Sequence, residues 1–151
     1  MLLKKEGLIL FGSSTGNSRL VASRLLEMLK FSVDIIDVRV IENTSLLLKY
    51  DLLILISSTW GDGELQPDME KFLISCQDDL KGKQYAICEL GIYSGYDNFG
   101  FGAYQIMQHH LKLLGAYELV APFSMDSLPR KDWNGLILWS NLLNYSMMET
   151  Y

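Results

Sequence analysis

Cysteine and proline are scarce, with two and three copies in 151 residues. Cys76 and Cys88 have no paired spacing, which excludes both a disulfide framework and a four-ligand metal site and leaves two buried thiols as the expectation. Positive charge is also short: 13 Lys and Arg face 18 Asp and Glu, a formal net charge of −5. That balance gives no electrostatic reason to bind nucleic acid or an anionic membrane. No apolar run reaches the ~18 residues that span a bilayer, since the charge-free stretch 134–148 is interrupted by Asn134, Ser140, Asn141, Asn144 and Ser146. The opening Met-Leu-Leu-Lys-Lys-Glu-Gly places its charges after two leucines, and the apolar run 8–11 is too short for a signal-peptide core, so the expected location is cytoplasmic.

What is present is a rhythm of buried runs and amphipathic segments. Residues 8–11, 33–38, 52–56, 85–90 and 117–121 are apolar runs of strand length. Val21, Leu25, Met28 and Leu29 recur at helical spacing, with Arg24, Glu27 and Lys30 opposite them. Residues 69–76, 101–114 and 133–148 read as three more helices, the second stopped by Gly115, and 44–49 as a short helical turn. Strands that alternate with helices imply a three-layer α/β domain, because crossover connections cover both faces of a parallel sheet. At this length the expectation is one domain over residues 1–151. In such sheets ligands collect at the carboxyl ends of the strands, so the loops after the first, third and fourth strands are the places to look.

The first of these loops is Gly12-Ser13-Ser14-Thr15-Gly16-Asn17-Ser18. It leads into a helix N-terminus and carries four hydroxyls but no lysine. A triphosphate loop needs Gly-Lys-Ser/Thr and a dinucleotide loop needs G-x-G-x-x-G, so the site suits one terminal phosphate held by neutral donors; simple helix capping is the competing reading. After the third strand comes Ser57-Ser58-Thr59-Trp60-Gly61-Asp62-Gly63-Glu64, where a large aromatic stands beside a glycine and can cover a flat heterocycle. After the fourth, residues 89–102 hold Tyr93, Tyr96, Phe99, Phe101 and several glycines with few charges, a composition suited to a binding platform. No G-x-S-x-G elbow or Cys-x₅-Arg run supplies a nucleophile, and no catalytic residue is assigned. His109 and His110 are adjacent on a helix and diverge, and Asp62, Glu64, Asp68 and Glu70 read as a solvated acidic rim.

Three segments together, Gly-Ser-Ser-Thr-Gly-Asn-Ser at 12–18, Ser-Thr-Trp-Gly-Asp-Gly-Glu-Leu-Gln at 58–66 and Gly-Tyr-Asp-Asn-Phe at 95–99, resemble the short-chain flavodoxin family, in order and relative spacing over nearly the whole chain. The resemblance implies a doubly wound five-stranded parallel sheet of order 2-1-3-4-5, with non-covalent FMN as cofactor. Ser13, Ser14, Thr15, Gly16, Asn17 and Ser18 match the family's phosphate loop. Ser58, Thr59 and Trp60 match the first ring loop, with Trp60 as the inner stacking aromatic. Gly61 matches the position whose peptide turns to accept a hydrogen bond from flavin N5 in the reduced states. Leu90, Gly91 and Ile92 match the segment that meets the pyrimidine end of the ring. Tyr96 matches the outer stacking tyrosine, with Tyr93 or Phe99 as the alternative for that face.

One departure is Ile92, at a position where the family usually has an acidic residue. Another is the last helix, apolar on several faces, whose surplus offers a dimer or docking surface on a chain otherwise expected to be monomeric. The resemblance implies a one-electron carrier between a reductase and acceptor proteins. Alternatives are an FMN protein dedicated to one partner enzyme or small substrate, and a flavin-free interaction domain of the same fold.

Overall fold

The structure is a computed structural model that describes residues 5–60, 64–91, 102–126 and 131–148, with Trp60, Asp78 and Asp126 described by their backbone alone. Three central strands, β1 (Glu6–Gly12), β3 (Leu52–Trp60) and β5 (Gln84–Gly91), form the middle of a parallel sheet, with β2 (Ser32–Asp37) on one edge. A two-residue strand, β4 (Glu64–Leu65), folds back antiparallel on the end of β3, and β6 (Tyr117–Glu118) and β7 (Phe123–Asp126) both pair with β5. The order β2-β1-β3-β5-β6 is the expected 2-1-3-4-5 once β4 is set aside as a hairpin.

The central runs are apolar without alternation because both faces of the sheet are covered. Leu8, Leu10, Leu53, Leu55, Tyr85 and Ile87 pack on one side, beneath α2 (Pro67–Ser75) and α3 (Ala103–Leu113). Ile9, Ile54, Ile56, Ala86 and Cys88 pack on the other, beneath α1 (Asn17–Met28) and α4 (Trp133–Met148). Successive side chains point to opposite faces, so one buried run feeds two cores. The edge strand β2 is only partly covered, and Asp34 and Asp37 stand in it.

The fifth strand differs from its expected form. Instead of one run over 117–121, the chain pairs at 117–118, leaves the ladder, and pairs again at 123–126. Pro122 has no N–H to give a ladder, and its ring restrains the residue before it, so the break falls where the sequence requires it. The other elements match closely: α4 has the expected limits, 44–49 is a short 3₁₀ turn, and α3 stops at Leu113, two residues before Gly115, whose φ of 86° suits a residue without Cβ. The face of α4 turned from the sheet carries Ile137, Leu138, Leu142, Tyr145 and Met148, all exposed. Among the described residues no helix is long and apolar enough to cross a membrane.

Candidate functional site

Parallel pairing fixes which loops are neighbours. Gly12 lies opposite Ser57, Ser58 opposite Leu90, and Gly91 opposite Asp126. Strands in a ladder are about 4.8 Å apart, so the loops after β1, β3 and β5 leave the sheet side by side. Strand order reverses between β1 and β3, which places the 13–18 loop at the switch point of the sheet.

That loop is more than a helix cap. Gly16 precedes α1 with φ 91°, and no side chain caps the helix, so the amides of its first turn open toward the loop. The Ser13 hydroxyl accepts from the Gly16 amide at 3.0 Å, Ser14 accepts from Gln66 Nε2 at 3.1 Å, and Thr15 accepts from Asn17 Nδ2 at 3.3 Å. A hydroxyl that accepts from a protein donor keeps its own proton to give elsewhere. Ser18 Oγ is buried without a hydrogen-bond partner, a state that costs about 1–3 kcal/mol unless an acceptor is supplied. Arg19, in the same turn, does not compete for that role: its guanidinium lies 3.3 Å from Asp37 and 5.3 Å from the centre of the Phe11 ring. A terminal phosphate, which is acceptor-only when fully ionised, fits this donor set.

Asp37 closes the β2 end of the site. Burial pushes its carboxyl up, but hydrogen bonds and charge from Arg39, with the charge of Arg19, outweigh that and hold it below the ordinary carboxylate value. The two cysteines, by contrast, are buried thiols; burial, with the nearby charge of Asp79, pushes Cys76 up to about 12, and burial pushes Cys88 higher still. Neither is a nucleophile at neutral pH.

At the other end of the site, Thr59 Oγ1 accepts from the Ala103 amide at 3.4 Å and Glu89 Oε1 accepts from the Tyr104 amide at 3.0 Å. Gly102, with φ 97°, has no side chain to cap α3, and two strand residues do so in its place. The second Glu89 oxygen accepts from the Ser124 hydroxyl, so β5, α3 and β7 meet at one carboxylate. Leu90 and Gly91 follow Glu89 directly and close the strand. The structure thus brings Ser13, Ser14, Thr15, Gly16, Asn17, Ser18, Ser58, Thr59, Leu90 and Gly91 to one edge of the sheet. Gly61, Ile92, Tyr93, Tyr96 and Phe99 lie outside the described residues, as does the side chain of Trp60.

Gln66 and Glu89 stand outside the residues to which the sequence points. Glu89 had a readable signal, a charge within an apolar strand run, which demands a buried partner. Gln66 stands before Pro67, a proline suited to the first turn of a helix, and its side chain caps that helix by accepting from the Met69 amide at 2.9 Å. Nothing in its spacing reveals the contact with Ser14.

An open parallel α/β sheet with a lysine-free loop of hydroxyls at its switch point has the architecture of a doubly wound domain that takes its ligand at the strand ends. The flavodoxin family model matches residues 9–132. A flavodoxin of Maridesulfovibrio salexigens is 30% identical over 133 residues, covering 84% of this chain and 90% of that protein. One of Nitratidesulfovibrio vulgaris is 33% identical over 138 residues, covering 88% and 93%. Oxidised Flavodoxin 1 from Bacillus cereus superposes with a TM-score of 0.75 over 97% of this chain and 99% of that one, at 23% identity. The chain belongs to the flavodoxin family, whose members are FMN-binding electron carriers.

Proposed function

We propose that this protein holds FMN at the edge formed by the loops after β1, β3 and β5 and passes single electrons from a reductase to acceptor proteins. The observation that carries the reading is the cradle: three hydroxyls already serving as acceptors within the protein, and a fourth, Ser18, buried without a partner. Bound FMN supplies the redox chemistry, while the protein positions it and biases its states. In this reading residues 13–18 bind the phosphate and fix the cofactor's register. The backbone of Leu90, Gly91 and Ile92 meets the pyrimidine end of the ring. Trp60 covers the inner face and Tyr96 the outer, with Phe99 alongside. Ser58 and Thr59 hold the start of the loop that carries Gly61, where the freedom of a glycine lets the peptide turn toward flavin N5. An acidic protein of net charge −5 attracts basic faces on its redox partners.

The test compares FMN, riboflavin and FAD on the native chain and on Thr15→Ala/Ser18→Ala. Two hydrogen bonds to a charged group are worth on the order of 3 kcal/mol, so FMN should weaken by about a hundredfold and riboflavin by less than about threefold. Equal weakening of FMN and riboflavin, or native binding of FAD as tight as FMN, would overturn the phosphate assignment.

A further inference from the structure

Gln66 is fully buried between the 13–18 loop and α2, and every polar atom of its side chain is engaged. Its Oε1 accepts from the Met69 amide at 2.9 Å, which fixes the orientation of the carboxamide, because only the oxygen can accept. Nε2 therefore faces Ser14 and Asp68, and its two protons go to Ser14 Oγ at 3.1 Å and Asp68 Oδ2 at 2.9 Å. The Gln66 backbone N–H donates to Ser58 O, so the same residue is tied to the end of β3. Room for it is reserved by Gly12, where a Cβ would stand 2.4 Å from Gln66 Oε1.

An amide nitrogen has no lone pair to accept with, so Ser14 cannot donate to Gln66. Its hydroxyl is compelled to accept there, and its proton is turned away, toward the exposed side of the loop. We propose that Gln66 is a positioning residue that makes Ser14 a dedicated donor to a phosphate ester. It selects for an ionised phosphate terminus over a neutral hydroxyl one through the orientation of a neighbouring group. The inference rests on the FMN reading of the cradle. It adds the cause of one donor's direction, located at the cap of α2 rather than in the cradle itself.

The experiment is a binding cycle with FMN and riboflavin on the full chain. Gln66→Met keeps the bulk beside Gly12 and removes the donor to Ser14. FMN affinity should fall about tenfold, the scale of one charge-assisted hydrogen bond, with riboflavin changed less than about threefold. In a Ser14→Ala background the same substitution should change FMN affinity less than about twofold, because a residue acting through Ser14 has nothing left to orient. An undiminished FMN loss in that background, or an equal loss for riboflavin, overturns the proposal and leaves Gln66 as a helix cap. Should Gln66→Met fail to fold, Gln66→Glu decides. Glutamate retains the acceptor for the Met69 amide but can only accept from Ser14. Any repulsion between the new carboxyl and the phosphate is common to both backgrounds, so the excess FMN loss over riboflavin must shrink in a Ser14→Ala background, and an undiminished excess overturns the proposal. A native chain that binds riboflavin as tightly as FMN defeats the cradle reading itself, an outcome distinct from loss of the Gln66 effect alone.

Discussion

At the scale of single residues, the site is defined by which polar atoms are committed and which are left over. Ser13, Ser14 and Thr15 are committed as acceptors, and Ser18 Oγ is left over inside the protein. A buried orphan hydroxyl persists against its cost where a ligand repays it. Asp37 is the opposite case, with Arg19 and Arg39 both on Oδ2. Its carboxyl lies below the ordinary value in the folded chain, so folding favours the ionised form. That contribution is complete above the unfolded pKa of about 4 and disappears as pH falls through the lower folded value. Asp37→Asn should lower stability at pH 7 and flatten its dependence on pH below about 4. Urea unfolding of both proteins across that range measures it, and parallel pH profiles would show that the arginine pair contributes nothing to folding.

Among the elements, legibility followed physical locality. The strands β1, β3 and β5 and the helix α4 are written in runs and periodicities that any reader of the chain can count. The expected strand 117–121 follows an apolar run, but the ladder keeps only its first two residues and resumes at 123–126, beyond Pro122, outside the run. The hairpin strand β4 is two residues long and has no pattern of its own. Cradle residues are legible as hydroxyls after a strand, whereas Gln66 acts on a loop 52 positions away and leaves no local trace; Glu89 is legible as a charge within an apolar strand, but its partner 15 positions on is not. Glu89 is also a test of how α3 is anchored. Glu89→Ala removes the acceptor for the Tyr104 amide and should cost about 2 kcal/mol in urea unfolding, while Glu89→Gln, which keeps an acceptor oxygen, should cost distinctly less. Equal losses would mean that the negative charge, rather than the cap, is what α3 requires.

For the molecule as a whole, the two cores and the site are parts of one equilibrium. Residues 13–18 join β1 to α1, Thr59 and Glu89 join β3 and β5 to α3, and Ser124 brings in β7. A ligand that binds this edge therefore contacts segments belonging to both faces of the sheet, and it stabilises the folded chain alone. At a free FMN concentration of a hundred times its Kd, the gain is about 2.7 kcal/mol. For a chain of this length about 1 kcal/mol moves Tm by ~2–4 °C, so the expected rise is roughly 5–10 °C. The rise should continue with each further increase in FMN, since linkage has no plateau while ligand is in excess. Riboflavin at the same concentration should give a smaller shift, because it leaves Ser18 without its acceptor. Thermal melts over a series of FMN concentrations decide the matter: a Tm independent of FMN would remove the cofactor from this edge of the sheet, and identical shifts for the two flavins would remove the phosphate from the cradle.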